Sequence, residues 1–298
     1  MKSLDNLFVK SSISIALVYL LLSCGQWQDK PESGFEIENK ESPAPIEIVS
    51  AKNIDWGPLN PARRVNGPKA GNLWGDRNSD ETSGFLVQFV DGFSSPPHIH
   101  NITYRGIVIS GTVHNNDPKA KNMWMPVGSF WTQPVGKPHI TSARGSINMV
   151  YVEIDKGPYL VKPIEEAFDN GEQPVNLVSS NMVWIDGSDI TWIDPSISSG
   201  LMNPSISFLW GKPSEGGLTG TLVKLPVGFK GKIYSNEKGI KAVIIKGKVS
   251  IHLRDEEKPL ESGNYFGSKG RSVFKISNET TAESIIYLRS EGSFSIRR

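Results

Sequence analysis

Two histidines one residue apart, His98 and His100, are followed by Tyr104 and later by His139, and the whole chain holds only five histidines. Successive side chains of a β-strand alternate between its faces, so His98 and His100 project together while Ile99 points away. A neutral imidazole offers a nitrogen lone pair and is the commonest metal ligand among side chains. A His-x-His strand therefore aims two ligands at one ion, and His139, at the end of "PVGKPH", is the expected third. Three neutral ligands leave a divalent ion its full charge and leave coordination positions open for water or substrate. Imidazole suits Zn, Fe, Cu and Ni; Fe and Zn are the ions expected first, and the sequence does not choose between them.

Tyr104 is the odd member. Its ordinary pKa of about 10 makes it a neutral phenol at pH 7 and a poor ligand. It is expected beside the ion as a hydrogen-bond donor or acid–base group, or else as a packed aromatic. Arg105 should face the other way by alternation. His114 and His252 fall outside the spacing and read as ordinary strand or surface residues. Trp124, Met125, Phe130 and Trp131 lie near the third histidine and read chiefly as core, with a pocket wall as the alternative.

The elements that must position these residues are strands. "GFLVQFV", "RGIVISGTV", "SINMVYVEI", "GTLVKL", "KAVIIKGKVSI" and "SIIYLRS" are short, rich in β-branched and aromatic residues, and punctuated by Gly and Pro. That pattern predicts an all-β sandwich or barrel with little helix. The one short-helix signature is "KPIEEAFDNG", with Pro163 early and Gly171 late.

The chain is also a duplication. "LWGDRNSDETSGFLVQFVDGF" (Leu73 to Phe93) matches "LWGKPSEGGLTGTLVKLPVGF" (Leu209 to Phe229) at an offset of 136 residues, and the offset also carries Trp56 onto Trp192 and Gly111 onto Gly247. It turns His98 into Tyr234, His100 into Asn236 and Tyr104 into Ile240; with a slip of one residue, His139 becomes Phe274. The second repeat keeps turn glycines at Gly228, Gly247 and Gly263 but has lost the ligands. "GIVIS" and "AVIIK" are apolar on consecutive positions, which suits strands covered on both faces. Their outer faces should pack against the other repeat or against a second subunit, as in a homodimer.

The spacing of the site residues resembles the two motifs of the cupin superfamily. Gly92 is followed by five residues and His98; three residues separate His100 from Tyr104 and six separate Tyr104 from Gly111; Gly128 stands five residues before "PVGKPH". The first cupin motif usually carries a glutamate where this chain has Tyr104. The wording of "IDWGPLNP", "GNLWGDR", "FSSPPHIHNITYRGIVISG" and "GTLVKLPVGF" is similar to the DUF4437 group of bacterial two-cupin proteins. The resemblance runs over nearly all of Ile54 to Phe294 and implies two tandem RmlC-like jelly-roll barrels, without implying an activity.

The ends bound the setting. Lys2 and Lys10 flank a basic start, and Ile13 to Leu22 is an apolar run too short for a membrane span of roughly 20 residues. It leads into "LLSCG", which resembles the lipobox of bacterial lipoproteins and marks Cys24, the sole cysteine, for lipidation. One cysteine excludes an intrachain disulfide and a multi-thiolate metal site. Residues 1–23 thus read as a lipoprotein signal peptide and 24–45 as a polar flexible tether. A metal-bearing cupin over 46–168 and a degenerate one over 169–298 follow. An envelope location is expected, at the outer membrane if the host is Gram-negative. The net charge of +1, from 32 basic and 31 acidic residues, argues against a nucleic-acid partner. A lipid-anchored metalloenzyme, an oxygenase or hydrolase of a small molecule, is the leading expectation. A non-catalytic ligand-binding or scaffold lipoprotein is the alternative, and a zinc-binding cupin sensor is disfavoured by the anchor.

Overall fold

The computed structural model describes residues 42–60, 67–190, 203–212, 216–253 and 256–298. Cys24, the signal segment, nearly all of the tether and Trp192 lie outside the described residues.

Each strand-like run forms a strand: Ser83–Phe89, Tyr104–Asn116, Ile140–Ile154, Leu218–Leu225, Ile240–Lys246, Lys248–Leu253 and Ser284–Glu291. They build two jelly-roll barrels. In each, one wall is a seven-stranded sheet; the second barrel is closed by a five-stranded sheet. In the first barrel, Tyr104–Asn116 and Ile140–Ile154 pair along nearly their whole length, with breaks in register around Ser110 that bend them from one wall into the other. The segment "KPIEEAFDNG" forms only a 3₁₀ turn, Ile164–Glu166, and its N-cap Pro163 makes no side-chain capping bond. Without a cap or an apolar face to dock, so short a segment does not repay helix nucleation.

The continuous apolar runs are explained by two cores per strand. Val108 and Val150 point into the first barrel, and Ala242 and Ile244 into the second. Their neighbours Ile107, Ile109, Val243 and Ile245 form a third cluster with Leu86, Tyr151, Leu222 and Tyr287, where the two seven-stranded sheets meet. The expected outer apolar faces therefore cover each other within the chain.

The duplication is visible in the backbone. Gly92, Gly111 and Gly128 have φ of 72°, 72° and 83°, and their counterparts Gly228, Gly247 and Gly263 have 76°, 84° and 90°. All six sit in the left-handed region that a side chain disfavours. Short arms tie the halves together. Glu47–Val49 pairs with Tyr265–Ser268 of the second barrel, while Val175–Leu177, which follows the first barrel in sequence, pairs with Phe130–Gln133 of the first.

Candidate metal centre

The three histidines converge. Strand His98–His100 is short because Pro96 and Pro97 precede it, and it carries both imidazoles on one face. His139 is its direct neighbour: His98 N–H donates to the His139 carbonyl at 3.1 Å and His139 N–H to the His98 carbonyl at 3.0 Å. Such a doubly bonded antiparallel pair holds both side chains on the same side of the sheet. Ring centroids lie 4.2 Å apart for His98 and His139, 5.1 Å for His98 and His100, and 5.1 Å for His100 and His139. One ligating nitrogen from each falls within 4.8 Å of the others, the only group of three such donors among the described residues.

The hydrogen bonds set the tautomers. His98 Nδ1 lies 2.9 Å from the Pro96 carbonyl and His100 Nδ1 lies 3.0 Å from the Leu160 carbonyl. A carbonyl only accepts, so Nδ1 carries the hydrogen in both rings and the Nε2 lone pair is left for the cluster, the arrangement that orients metal-bound histidines. The Leu160 carbonyl is held in place by a strap. Val161–Pro163 pairs with His98–His100, and Asn101 clamps the approach by donating to the Pro158 carbonyl at 2.9 Å and accepting from Leu160 N–H at 2.8 Å.

His100 and His139 are buried and His98 is half-buried. Burial holds the His100 and His139 imidazoles well below the usual histidine range, and the neighbouring histidines add to the effect. Both are neutral at pH 7, as a ligand must be.

Tyr104 stands beside the cluster. Its hydroxyl is 3.3 Å from His139 Nε2 and donates to Asn115 Oδ1 at 3.1 Å. Asn115 also accepts from Thr141 at 2.8 Å and donates to Gln133 at 3.1 Å, and Gln133 donates to the Lys137 carbonyl at 2.9 Å. A second phenol, which the sequence reasoning missed, faces Tyr104. Tyr159 projects from the strap, stacks on the His100 ring at 4.5 Å and brings its hydroxyl to 3.3 Å from His100 Nε2. Nothing in its spacing announces it, because it lies 59 residues beyond His100. Burial pushes both phenols above their ordinary pKa, so both are neutral donors.

The remaining candidates separate cleanly. Arg105 points away, pairs with Asp155 at 2.9 Å and lies 3.8 Å over the Trp210 ring. His114 is buried outside the cluster, against Met123 and Trp124. Met125 and Phe130 are core, whereas Trp131 joins Phe89, Phe93, Val152 and Val161 in walling a cavity of about 60 Å³ over the histidines. That volume holds an ion with a few waters, far below the 300 Å³ or more typical of a drug-sized ligand site.

Among the described residues the second barrel has no such centre. Phe274 is fully buried and opposes the equally buried Ile233, while Tyr234 opposes Val273. The sequence offset set Tyr234 and Phe274 against His98 and His139, but the two do not share a rung as the histidines do. The interior is instead filled by Phe229, Ile233, Ile240 and Phe274.

Known structures resemble this fold at low identity. A putative dioxygenase from Nostoc punctiforme has a TM-score of 0.62 and 13% identity, covering 85% of this chain and 84% of the other. Salicylate 1,2-dioxygenase from Pseudoaminobacter salicylatoxidans, with gentisate, has a TM-score of 0.53 and 12% identity, covering 86% and 83%. Vicilin from hazelnut, Corylus avellana, has a TM-score of 0.52 and 10% identity, covering 84% and 87%. Likeness at this level is likeness of fold, which hosts unrelated functions. No functionally curated protein matches the sequence. Residues 47–297 match DUF4437, described as a domain of unknown function, and that span takes in both barrels and all three histidines. The chain belongs to the DUF4437 family.

Proposed function

We propose that the first barrel is a metal-dependent oxygenase of a small, largely apolar molecule, with His98, His100 and His139 as the protein ligands of a divalent ion. The observation that carries this reading is the convergence of three imidazoles beneath apolar walls, with backbone carbonyls fixing the Nδ1 hydrogens of His98 and His100. The donor set fits Fe(II) or Zn. When bound, such an ion supplies Lewis acidity and, if it is iron, electron exchange with dioxygen.

The chain's own residues do the rest. Phe89, Phe93, Val152 and Val161 exclude water from the cavity. Asn115 takes the Tyr104 hydrogen and so fixes that hydroxyl. The Tyr159 hydroxyl has His100 Nε2 as its hydrogen-bond partner. With that nitrogen holding an ion, the phenol hydrogen would be available to an oxygen of a bound ligand, since a buried donor left unmade costs about 1–3 kcal/mol. A zinc hydrolase with the same ligands is less well supported: the described lining of the cavity includes no carboxylate to take a proton from water, and both phenols stay protonated. The small cavity favours a second reading, a binding module for a very small ligand.

Elemental analysis of tag-free protein purified without oxygen, followed by an oxygen-uptake screen, separates these readings. The oxygenase predicts about one iron per chain and uptake with at least one apolar substrate. Zinc at one per chain with no uptake favours the hydrolase, and no metal at all favours the module.

We further propose that the protein is a lipid-anchored lipoprotein of the cell envelope, on the strength of "LLSCG". Cys24→Ala should then leave unprocessed precursor and abolish lipid labelling. A mature wild type that carries no label would contradict this.

A further inference from the structure

The outer face of the second barrel carries a row of basic side chains. In the five-stranded sheet, His252 opposes Lys275, Lys275 opposes Lys232, and Lys232 opposes Arg297, so four basic side chains cross four neighbouring strands on one rung. Like charges directly opposite one another destabilise a sheet. Lys232 and Lys275 are exposed and form no ion pair among the described residues. Two carboxylates stand on the same face. Glu279 is taken by Lys230 at 2.6 Å, and Glu257 opposes His252 at the far end of the rung. Arg297 is steadied over the Tyr234 ring at 4.9 Å.

The rung borders a groove of about 240 Å³, lined by Lys230, Lys232, His252, Lys275, Ser277 and one carboxylate, Glu279, which Lys230 neutralises. Strands lie about 4.8 Å apart, so His252, Lys275 and Lys232, all of which line the groove, span about 10 Å. Cations of this spacing in a concave site match two dianionic groups on one small molecule better than a single carboxylate, and ammonium and guanidinium groups are the usual phosphate donors. The geometry points to a second site, on the non-metal barrel, for a small soluble anion bearing two phosphate groups. It is separate from the histidine cluster and does not rest on the oxygenase reading.

The test uses full-length protein and fructose 1,6-bisphosphate as the probe, with binding by calorimetry and stability by thermal shift. The expected result is saturable binding that sodium chloride of equal ionic strength does not reproduce. Lys232→Ser and Lys275→Ser should each weaken it about tenfold, and should leave the unliganded protein at least as stable as wild type at low salt because a repulsion is relieved. His98→Ala should bind the probe normally. Unchanged affinity in both lysine variants would overturn the site, as would stabilisation matched by sodium chloride or loss of binding in His98→Ala. Binding to phosphatidylglycerol vesicles without binding to the soluble probe would also overturn it, in favour of a membrane surface.

Discussion

Glu153 and Arg289 occupy the same position in the two repeats and meet each other: Arg289 Nη1 lies 3.1 Å from Glu153 Oε1 in the buried seam between the barrels. The surrounding contacts are paired in the same way. Trp74 donates to Tyr151 at 3.2 Å, and their counterparts Trp210 and Tyr287 repeat the bond at 3.2 Å. Arg105 lies over Trp210, and its counterpart Lys241 lies over Trp74 at 4.9 Å. Tyr151 and Tyr287 both donate to the Glu153 carboxylate. The seam is thus a near-twofold contact in which one acid–base pair replaces what two identical repeats would make a clash of like charges.

That pair should behave as a buried ion pair whose halves cannot be removed singly. Arg289→Met leaves Glu153 buried with only the more distant Arg105, at 3.8 Å, to offset its charge, and should cost about 3 kcal/mol. The double variant Glu153→Gln, Arg289→Met should recover most of that loss. Urea denaturation of the three proteins measures it; additive losses would show that the two residues do not act as a pair.

Asp155 should make the same seam sensitive to acid. Its burial raises the carboxyl pKa, but Arg105 and Arg289 outweigh that, so the folded value is lowered. A lowered folded pKa gives stability that is present above the unfolded value of about 3.9 and is lost as pH falls below it. Wild type should therefore exceed Asp155→Asn in thermal stability at pH 7, and the gap should close as pH falls from about 5 to 3. A gap that widens with acid would reverse the sign of the interaction.

Tyr159 should be needed for what binds at the ion rather than for the ion itself. Tyr159→Phe should keep its metal, while affinity for azide added to the metal-loaded protein falls by about 10–100-fold, the range of a lost outer partner. Azide binding is read from the visible spectrum of the cobalt-substituted protein. Unchanged azide affinity would show that the phenol is only packing.

The parts of this account that could be read from sequence share a physical origin. His98, His100 and His139 were legible because strand periodicity and turn glycines constrain spacing, and the duplication because both copies keep LWG and the turn glycines. The consecutive apolar residues of "GIVIS" foretold two covered faces, and the third cluster between the barrels is that second face. Tyr159 and the Asn115–Gln133 chain were not legible, since their contacts close over long sequence separations with no periodic signal. The exchanged arms at 47–49 and 175–177 were not either, because three residues are too few to carry a pattern. Aligning Phe274 with His139 failed in register because a one-residue slip in a strand exchanges its faces.

The most direct test of the metal centre is metal content per chain after equal dialysis at pH 7. His98→Ala, His100→Ala and His139→Ala should each lose the ion, because each removes one of three protein ligands. Tyr104→Phe should retain it, since the Tyr104 hydroxyl is a neutral donor already held by Asn115. If Tyr104→Phe empties the site as fully as the histidine variants do, the phenol oxygen is itself a ligand and the three-histidine centre is wrong.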